Sequence, residues 1–285
     1  MIAGIELGGT KTVVAIGTPE GKVVEEFRFP TTHPEETLAV AAEWLRARGT
    51  PGDICIAAFG PVGVVKGREN YGKILATPKA GWSDFSLTGA LAEVFPEARY
   101  SIDTDVNAAA LAEARIGAAA GLDDVAYITI GTGIGAGILS GGHLIHGSLH
   151  PETGHLKVPR HPEDTFKGVC PFHADCLEGL ASGPAIAARW GKPADELPVG
   201  HPAWDMQAWY LAHGILSLLA IVSPEKVIVG GGVSQVAGLH EKINRLLVEI
   251  GAGYFPVLLT DGDYVVPPAL GQEAGICGAF LLTGS

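Results

Sequence analysis

Short apolar runs broken by glycine turns open the chain. Ile2 to Leu7 predicts a strand, Gly8-Gly9-Thr10 a turn and Lys11 to Gly17 a second strand. Pro19-Glu20-Gly21 turns the chain again, and Lys22 to Phe29 predicts a third strand. The apolar period then lengthens to that of a helix. Pro34-Glu35-Glu36 starts it, Leu38, Ala41, Ala42 and Leu45 form its apolar face, and Gly49 stops it. Asp53 to Phe59 is almost continuously apolar, as expected of a strand buried on both faces, and ends at Gly60-Pro61. Leu87 to Phe95 predicts a short helix and Arg99 to Ile102 a strand closing at Asp103-Thr104-Asp105. An alanine-rich helix follows from Val106 to Ala120.

The opening pattern then returns. Val125 to Ile130 predicts a strand, Gly131-Thr132-Gly133 a turn and Gly135 to Leu139 another strand, before Ser140-Gly141-Gly142. Two strand–glycine-turn–strand units at this separation suggest a duplicated α/β domain with mixed sheets. Beyond them lie an irregular region from His146 to Phe172 and helices near Pro184 to Trp190 and Ala203 to Ile221. The pattern closes with a strand Val227 to Val229 running into Gly230-Gly231-Gly232, a helix Glu241 to Glu249, an extended Val265-Val266 and an apolar helix Glu273 to Leu282. The boundaries are placed at 1–106 for the first domain and 107–271 for the second, with an inserted segment at 150–178.

Composition narrows the class. With 285 residues, 47% of them hydrophobic and 18% charged, the chain can fill two ordinary cores. A net charge of -12 and the lack of a basic run argue against a nucleic-acid partner. The N-terminus has no basic leader, and the longest apolar stretch, near Ile215 to Val222, is too short to cross a bilayer, so a cytoplasmic protein without a membrane partner is expected.

The chain has no Walker A motif and no G-x-G-x-x-G after a strand. Three glycine turns nonetheless follow apolar strands: Gly8-Gly9-Thr10-Lys11, Gly131-Thr132-Gly133 and Gly230-Gly231-Gly232. Backbone N–H groups in such turns can converge on anionic oxygens, with Thr10, Thr132 and Lys11 adding donors. The plain alternative is that they are only hairpin turns. Asp105 stands between a strand end and a helix start, where carboxylates often face a ligand. It is the candidate base, accepting the proton of a substrate hydroxyl, with Thr104 and Asn107 orienting the site. Alternatively, Asp103 or Asp105 caps the helix.

His155, Cys170, His173 and Cys176 form the sharpest chemical signal. Two thiolates and two imidazoles suit a closed tetrahedral zinc site that would tie down a segment with little core of its own. A Cys170–Cys176 disulfide or free thiols are the alternatives. Cys55 and Cys277 read as buried apolar residues. Glu152 and Glu178, on either side of the cluster, can each accept two neighbouring hydroxyls.

In its order of motifs the chain resembles the ROK family of sugar kinases and related repressors. Ile5-Glu6-Leu7-Gly8-Gly9-Thr10-Lys11 resembles the family's first phosphate loop, and Ile130-Gly131-Thr132-Gly133-Ile134-Gly135 its second. Thr104-Asp105-Val106-Asn107-Ala108-Ala109 is similar to the segment carrying the catalytic aspartate. Glu152-Thr153-Gly154-His155 resembles its sugar-and-zinc motif, and Cys176-Leu177-Glu178-Gly179-Leu180-Ala181-Ser182-Gly183 a further segment. Thr104 in place of asparagine, and Cys170-Pro171-Phe172-His173-Ala174-Asp175-Cys176 in place of a cysteine-richer run, are similar to the bacterial fructokinase branch. So are Tyr71 to Trp82 and His150 to His155. The resemblance implies a two-domain actin-like ATPase (ribonuclease H-like) fold, with residues 272–285 packing back on the first domain. It implies ATP, Mg²⁺ and structural zinc, a homodimer, and transfer to a fructose-like hexose at its 6-hydroxyl, in a cleft between domains. Asp105 would be the base, and Glu152, His155 and Glu178 the sugar contacts. Gly8, Gly9, Thr10, Lys11, Gly131, Thr132, Gly133, Gly231 and Gly232 would line the ATP site, with Glu6 or Asp103 toward Mg²⁺. A broader hexokinase, mannokinase or glucokinase is the neighbouring alternative, and a sugar-responsive regulator a more distant one.

Overall fold

The computed structural model describes residues 1–260 and 262–283. In chain order the elements are β1 (Ile2–Leu7), β2 (Lys11–Gly17), β3 (Val23–Pro30), α1 (Pro34–Arg46), β4 (Asp53–Ala58), α2 (Leu87–Ala92), β5 (Arg99–Thr104) and α3 (Asp105–Ile116). Then come β6 (Val125–Ile130), β7 (Ile134–Ser140), β8 (His143–Leu144), α4 (Leu177–Ala181), α5 (Gly183–Trp190) and α6 (Ala203–Val222). The chain ends with β9 (Lys226–Gly230), α7 (Leu239–Gly251), β10 (Val265–Val266) and α8 (Ala274–Leu281).

Two five-stranded sheets repeat one topology. The first has the order β3-β2-β1-β4-β5, and the second, counted from β8, the order β8-β7-β6-β9-β10. In the first, β1 is antiparallel to β2 and parallel to β4, which is parallel to β5. In the second, β6 is antiparallel to β7 and parallel to β9, which is parallel to β10. This is the duplicated α/β arrangement expected from the returning pattern, and the actin-like, ribonuclease H-like fold that the resemblance implied.

The chain divides into two compact units. Unit one holds Met1–Ile116, Leu144–Pro151 and the chain from Gln272 on; unit two holds Gly117–His143 and Glu152–Gly271. In unit one, β1 and β4 are central and buried on both faces, which is why they read as apolar runs. One face carries Ile5, Leu7, Ile54 and Ile56 against Leu38, Leu45 and Trp82. The other is covered by α8, whose Ile276 and Phe280 meet Val13 and Ala15. Helices α3 and α8 cross closely because their contact faces are small: a Cβ on Gly278 would lie 1.8 Å from the Ala108 carbonyl oxygen.

Some boundaries differ from expectation. The strand expected to stop at Ile102 runs to Thr104, because Asp103 and Thr104 still pair with Ala57 and Ala58. The following helix starts at Asp105 and stops at Ile116, four residues short of Ala120, where Gly117 opens a turn closed by Ala120 N–H on its carbonyl. The apolar stretch near Ile215 to Val222 lies within a longer helix. Among the described residues one helix, α6, is long and apolar enough by length and composition to cross a membrane. The longest unbroken run missed it because Asp205, Gln207 and His213 interrupt the apolar sequence. Its Trp204, Tyr210, Leu211 and Ile215 are buried within the protein, as in a core helix.

Candidate active site

In unit one, β1, β4 and β5 end side by side: Leu7 pairs with Ala58, and Ala58 with Thr104. The residues that follow each strand are therefore neighbours at one sheet edge. The first glycine turn is closed by Gly8 N–H donating to the Lys11 carbonyl at 3.0 Å. A Cβ at Gly8 would sit 2.8 Å from that oxygen, so the turn requires glycine there. Thr31 buttresses it, donating from Oγ1 to the Gly8 carbonyl at 2.8 Å, while Thr12 Oγ1 lies 2.7 Å from Thr31 Oγ1. Gly9, Thr10 and Lys11 remain exposed.

The capping question is settled by geometry. Thr104 Oγ1 accepts the Asn107 N–H at 3.1 Å, so Thr104 caps α3, not Asp103 or Asp105. Thr104 itself is buried. Asp103 is buried as well. It accepts from Thr104 N–H at 2.7 Å, Asn107 Nδ2 at 2.6 Å and His146 Nε2 at 2.8 Å. Asp105 is half-buried and accepts from Val106 N–H at 2.9 Å. Burial raises its pKa to about 6, against the opposing pull of backbone N–H groups.

Glu6 completes this edge. Burial, and then the negative charge of Asp105, raise its pKa to about 7. Its Oε2 is buried without a hydrogen-bond partner. A hard-oxygen donor with an unsatisfied lone pair beside a second acid fits a divalent cation such as Mg²⁺. Asp103, the other acid expected toward Mg²⁺, already accepts from three donors.

In unit two, the second glycine turn is closed by Gly131 N–H on the Gly133 carbonyl at 2.9 Å. Gly183 N–H, at the start of α5, donates to the Gly131 carbonyl at 2.8 Å. Glu178 Oε2 accepts the Ile134 N–H just beyond the turn at 3.0 Å. The third turn lies against the second: a Cβ on Gly231, whose φ is +88°, would fall 2.3 Å from the Ile130 carbonyl oxygen. The fold thus brings Gly131, Thr132, Gly133, Gly231 and Gly232 to one end of the second sheet, beside Glu178.

The same unit gathers the cluster. The ligand atoms of His155, Cys170, His173 and Cys176 all lie within 4.8 Å of one another. Cys170 Sγ is 3.9 Å from His155 Nδ1 and 3.8 Å from His173 Nδ1, and Cys176 Sγ is 3.6 Å from His155 Nδ1. Tetrahedral bonding to one zinc ion separates sulfur and nitrogen ligands by roughly 3.5 Å, so the set fits. The thiols of Cys170 and Cys176 are free. Backbone pairing builds the cradle, with Cys170 and Ala174 exchanging N–H···O bonds at 3.2 and 2.9 Å and Leu177 N–H donating to the Leu156 carbonyl at 2.8 Å. Glu152 is exposed at the head of the short 3₁₀ turn Thr153–His155, whose His155 N–H donates to the Glu152 carbonyl at 3.0 Å.

Two contacts escaped the sequence. His146 lies on the irregular segment and bonds Asp103 from 43 positions away. Lys79 donates from Nζ to the Gly9 carbonyl, 70 positions away. Neither has a local spacing signal, though Lys79 falls inside the Tyr71-to-Trp82 segment.

A family profile described as the ROK family matches residues 2–285. The chain belongs to the ROK family. A fructokinase of Zymomonas mobilis is 41% identical over 290 residues, covering 98% of this chain and 94% of that protein. A fructokinase of Pediococcus pentosaceus is 40% identical over 282 residues, covering 99% and 97%. Among solved structures, a ROK hexokinase from Thermus thermophilus superposes with a TM-score of 0.79 at 28% identity, covering 99% of this chain and 97% of that one. The ROK relatives thus match nearly the full length, both sheets included.

Proposed function

We propose that this chain is an ATP-dependent hexose kinase whose substrate is D-fructose, phosphorylated at the 6-hydroxyl. One observation carries the reading: a half-buried acid, Asp105, held with a raised pKa at the strand edge that also presents an open, buttressed glycine turn. Asp105 takes the proton of the sugar hydroxyl as its oxygen bonds to the γ-phosphorus of ATP and the bond to the β-phosphate oxygen breaks. Proton acceptance of this kind is worth roughly 10²–10⁴ in rate. The turns Gly8–Lys11, Gly131–Gly133 and Gly231–Gly232 offer N–H groups to the phosphates, which is the main source of catalysis in phosphoryl transfer.

Thr104, as the cap of α3, fixes the backbone on which Asp105 sits. Glu152, His155 and Glu178 hold sugar hydroxyls, and His155, Cys170, His173 and Cys176 hold a structural zinc ion. Glu6 would hold Mg²⁺, directly or through water, and that ion would neutralise charge on the β- and γ-phosphates. The fructose assignment draws on the relatives named fructokinase.

The hexokinase similarity favours a second reading, a broader hexose range. Sugar-dependent ADP release with a panel of fructose, mannose and glucose separates the two. A chain that releases no ADP with any hexose is not the proposed kinase.

A further inference from the structure

Trp82 and Phe59 aim a lysine at the first glycine turn. Trp82 is fully buried in unit one, and its Nε1 donates to the Thr32 carbonyl at 2.9 Å. Its ring meets Phe59 edge-on at 5.3 Å, and Phe59 directly follows β4. The loop before Trp82 is closed by its own hydrogen bonds. Thr77 N–H donates to Ser83 Oγ at 3.1 Å, Ser83 Oγ donates to the Thr77 carbonyl at 3.0 Å, and Trp82 N–H donates to the Lys79 carbonyl at 3.2 Å. Lys79 is half-buried at the crest of this loop. Its ammonium donates to the Gly9 carbonyl and stands 5.8 Å from the Phe59 ring centroid.

Ordering a long lysine side chain costs conformational entropy, and one neutral carbonyl offsets little of it. The Gly9 side of the turn is otherwise open: a Cβ built there meets nothing within 4 Å. An anion seated on the turn would offer Lys79 a charge-assisted bond, about twice as strong as a neutral one.

We infer that Lys79 is a substrate-contacting cation of the first turn, its ammonium exchanging the Gly9 carbonyl for a non-bridging oxygen of the γ-phosphoryl group of ATP. The role rests on the phosphoryl transfer proposed above. The hydroxyl proton goes to Asp105.

Lys79→Gln separates charge from tethering, since its amide can still donate to the Gly9 carbonyl. Wild type is assayed first for fructose-dependent ADP release; a silent wild type overturns the kinase reading, and Lys79 with it. With an active wild type, Lys79→Gln is expected to lower kcat about 10²-fold while the fructose KM stays within about threefold. Lys79→Arg should keep at least about a tenth of wild-type turnover. Lys79→Gln should bind ADP as wild type does but a non-hydrolysable ATP analogue about tenfold more weakly. Turnover of Lys79→Gln within about threefold of wild type overturns the assignment alone, as does equal weakening of ADP and analogue. If Lys79→Gln and Lys79→Met both fail to fold, Lys79 is a structural tether and the assignment is likewise overturned.

Discussion

Glu178 Oε2 accepts the backbone N–H of Ile134 at 3.0 Å. Glu178 sits two residues past Cys176 on α4, and Ile134 follows the Gly131–Gly133 turn. One carboxylate therefore joins the helix leaving the His/Cys cluster to a turn proposed to hold phosphate. Glu178→Gln keeps an acceptor for Ile134 but loses the charge that grips paired hydroxyls. It is expected to raise the sugar KM by about tenfold with the ATP KM nearly constant. Glu178→Ala also strands the Ile134 N–H and should raise both. Steady-state kinetics with each substrate varied in turn decides this; unchanged sugar KM in both variants removes Glu178 from the sugar contacts.

Asp105→Asn should leave the melting temperature within a few degrees of wild type, because the amide matches the carboxylate in size. Turnover should drop by roughly 10²–10⁴. In wild type the base must be ionised, so kcat/KM should be full above the pKa of about 6 and fall as pH drops through it. A variant within about threefold of wild-type turnover would falsify the base assignment.

Glu6 should make stability depend on pH in the opposite sense. Its folded pKa of about 7 stands above the ordinary carboxylate value of 4.5. The stability it contributes is fully present below 4.5 and lost as pH rises through about 7. Glu6→Gln removes that loss. Without nucleotide or divalent metal, the melting temperature of Glu6→Gln minus that of wild type should therefore grow between pH 5 and pH 8, spanning about the window of the shift. A flat difference would mean that Glu6 is not an acid whose pKa folding raises.

The His/Cys cluster predicts metal content directly. Untagged protein should carry about one zinc per chain by elemental analysis, and chelation should lower the melting temperature, since structural zinc contributes folding free energy. Cys176→Ser should lose the metal and destabilise unit two. Normal activity and melting with under about 0.2 zinc per chain would count against the site.

Much of the frame was legible because central strands announce themselves. Ile54 to Ala58 has no polar interruption, and Pro34 with Glu35 and Glu36 marks the start of α1 in the way helix dipoles favour. β8 and α4 were missed, since two residues and five residues are too short to show a period. The four cluster residues were readable from chemistry and spacing. The cap of α3 was not: Asp103, Thr104 and Asp105 are all good caps, and only the continuation of β5 to Thr104 selects among them. Lys79 and His146 act across long sequence separations, through a loop and a crossover whose paths depend on tertiary packing.

Helix α8 bears on how the protein is made. One face of the first sheet, around Val13 and Ala15, is covered by Ile276 and Phe280 from the other end of the chain. During synthesis that face has no partner until Ala274–Leu281 has been made, after the residues of unit two, so the first unit cannot mature before the unit encoded within it. For this chain the usual order of vectorial folding is inverted, and a ribosome stalled before Ala274 would hold an apolar sheet open to solvent and to chaperones.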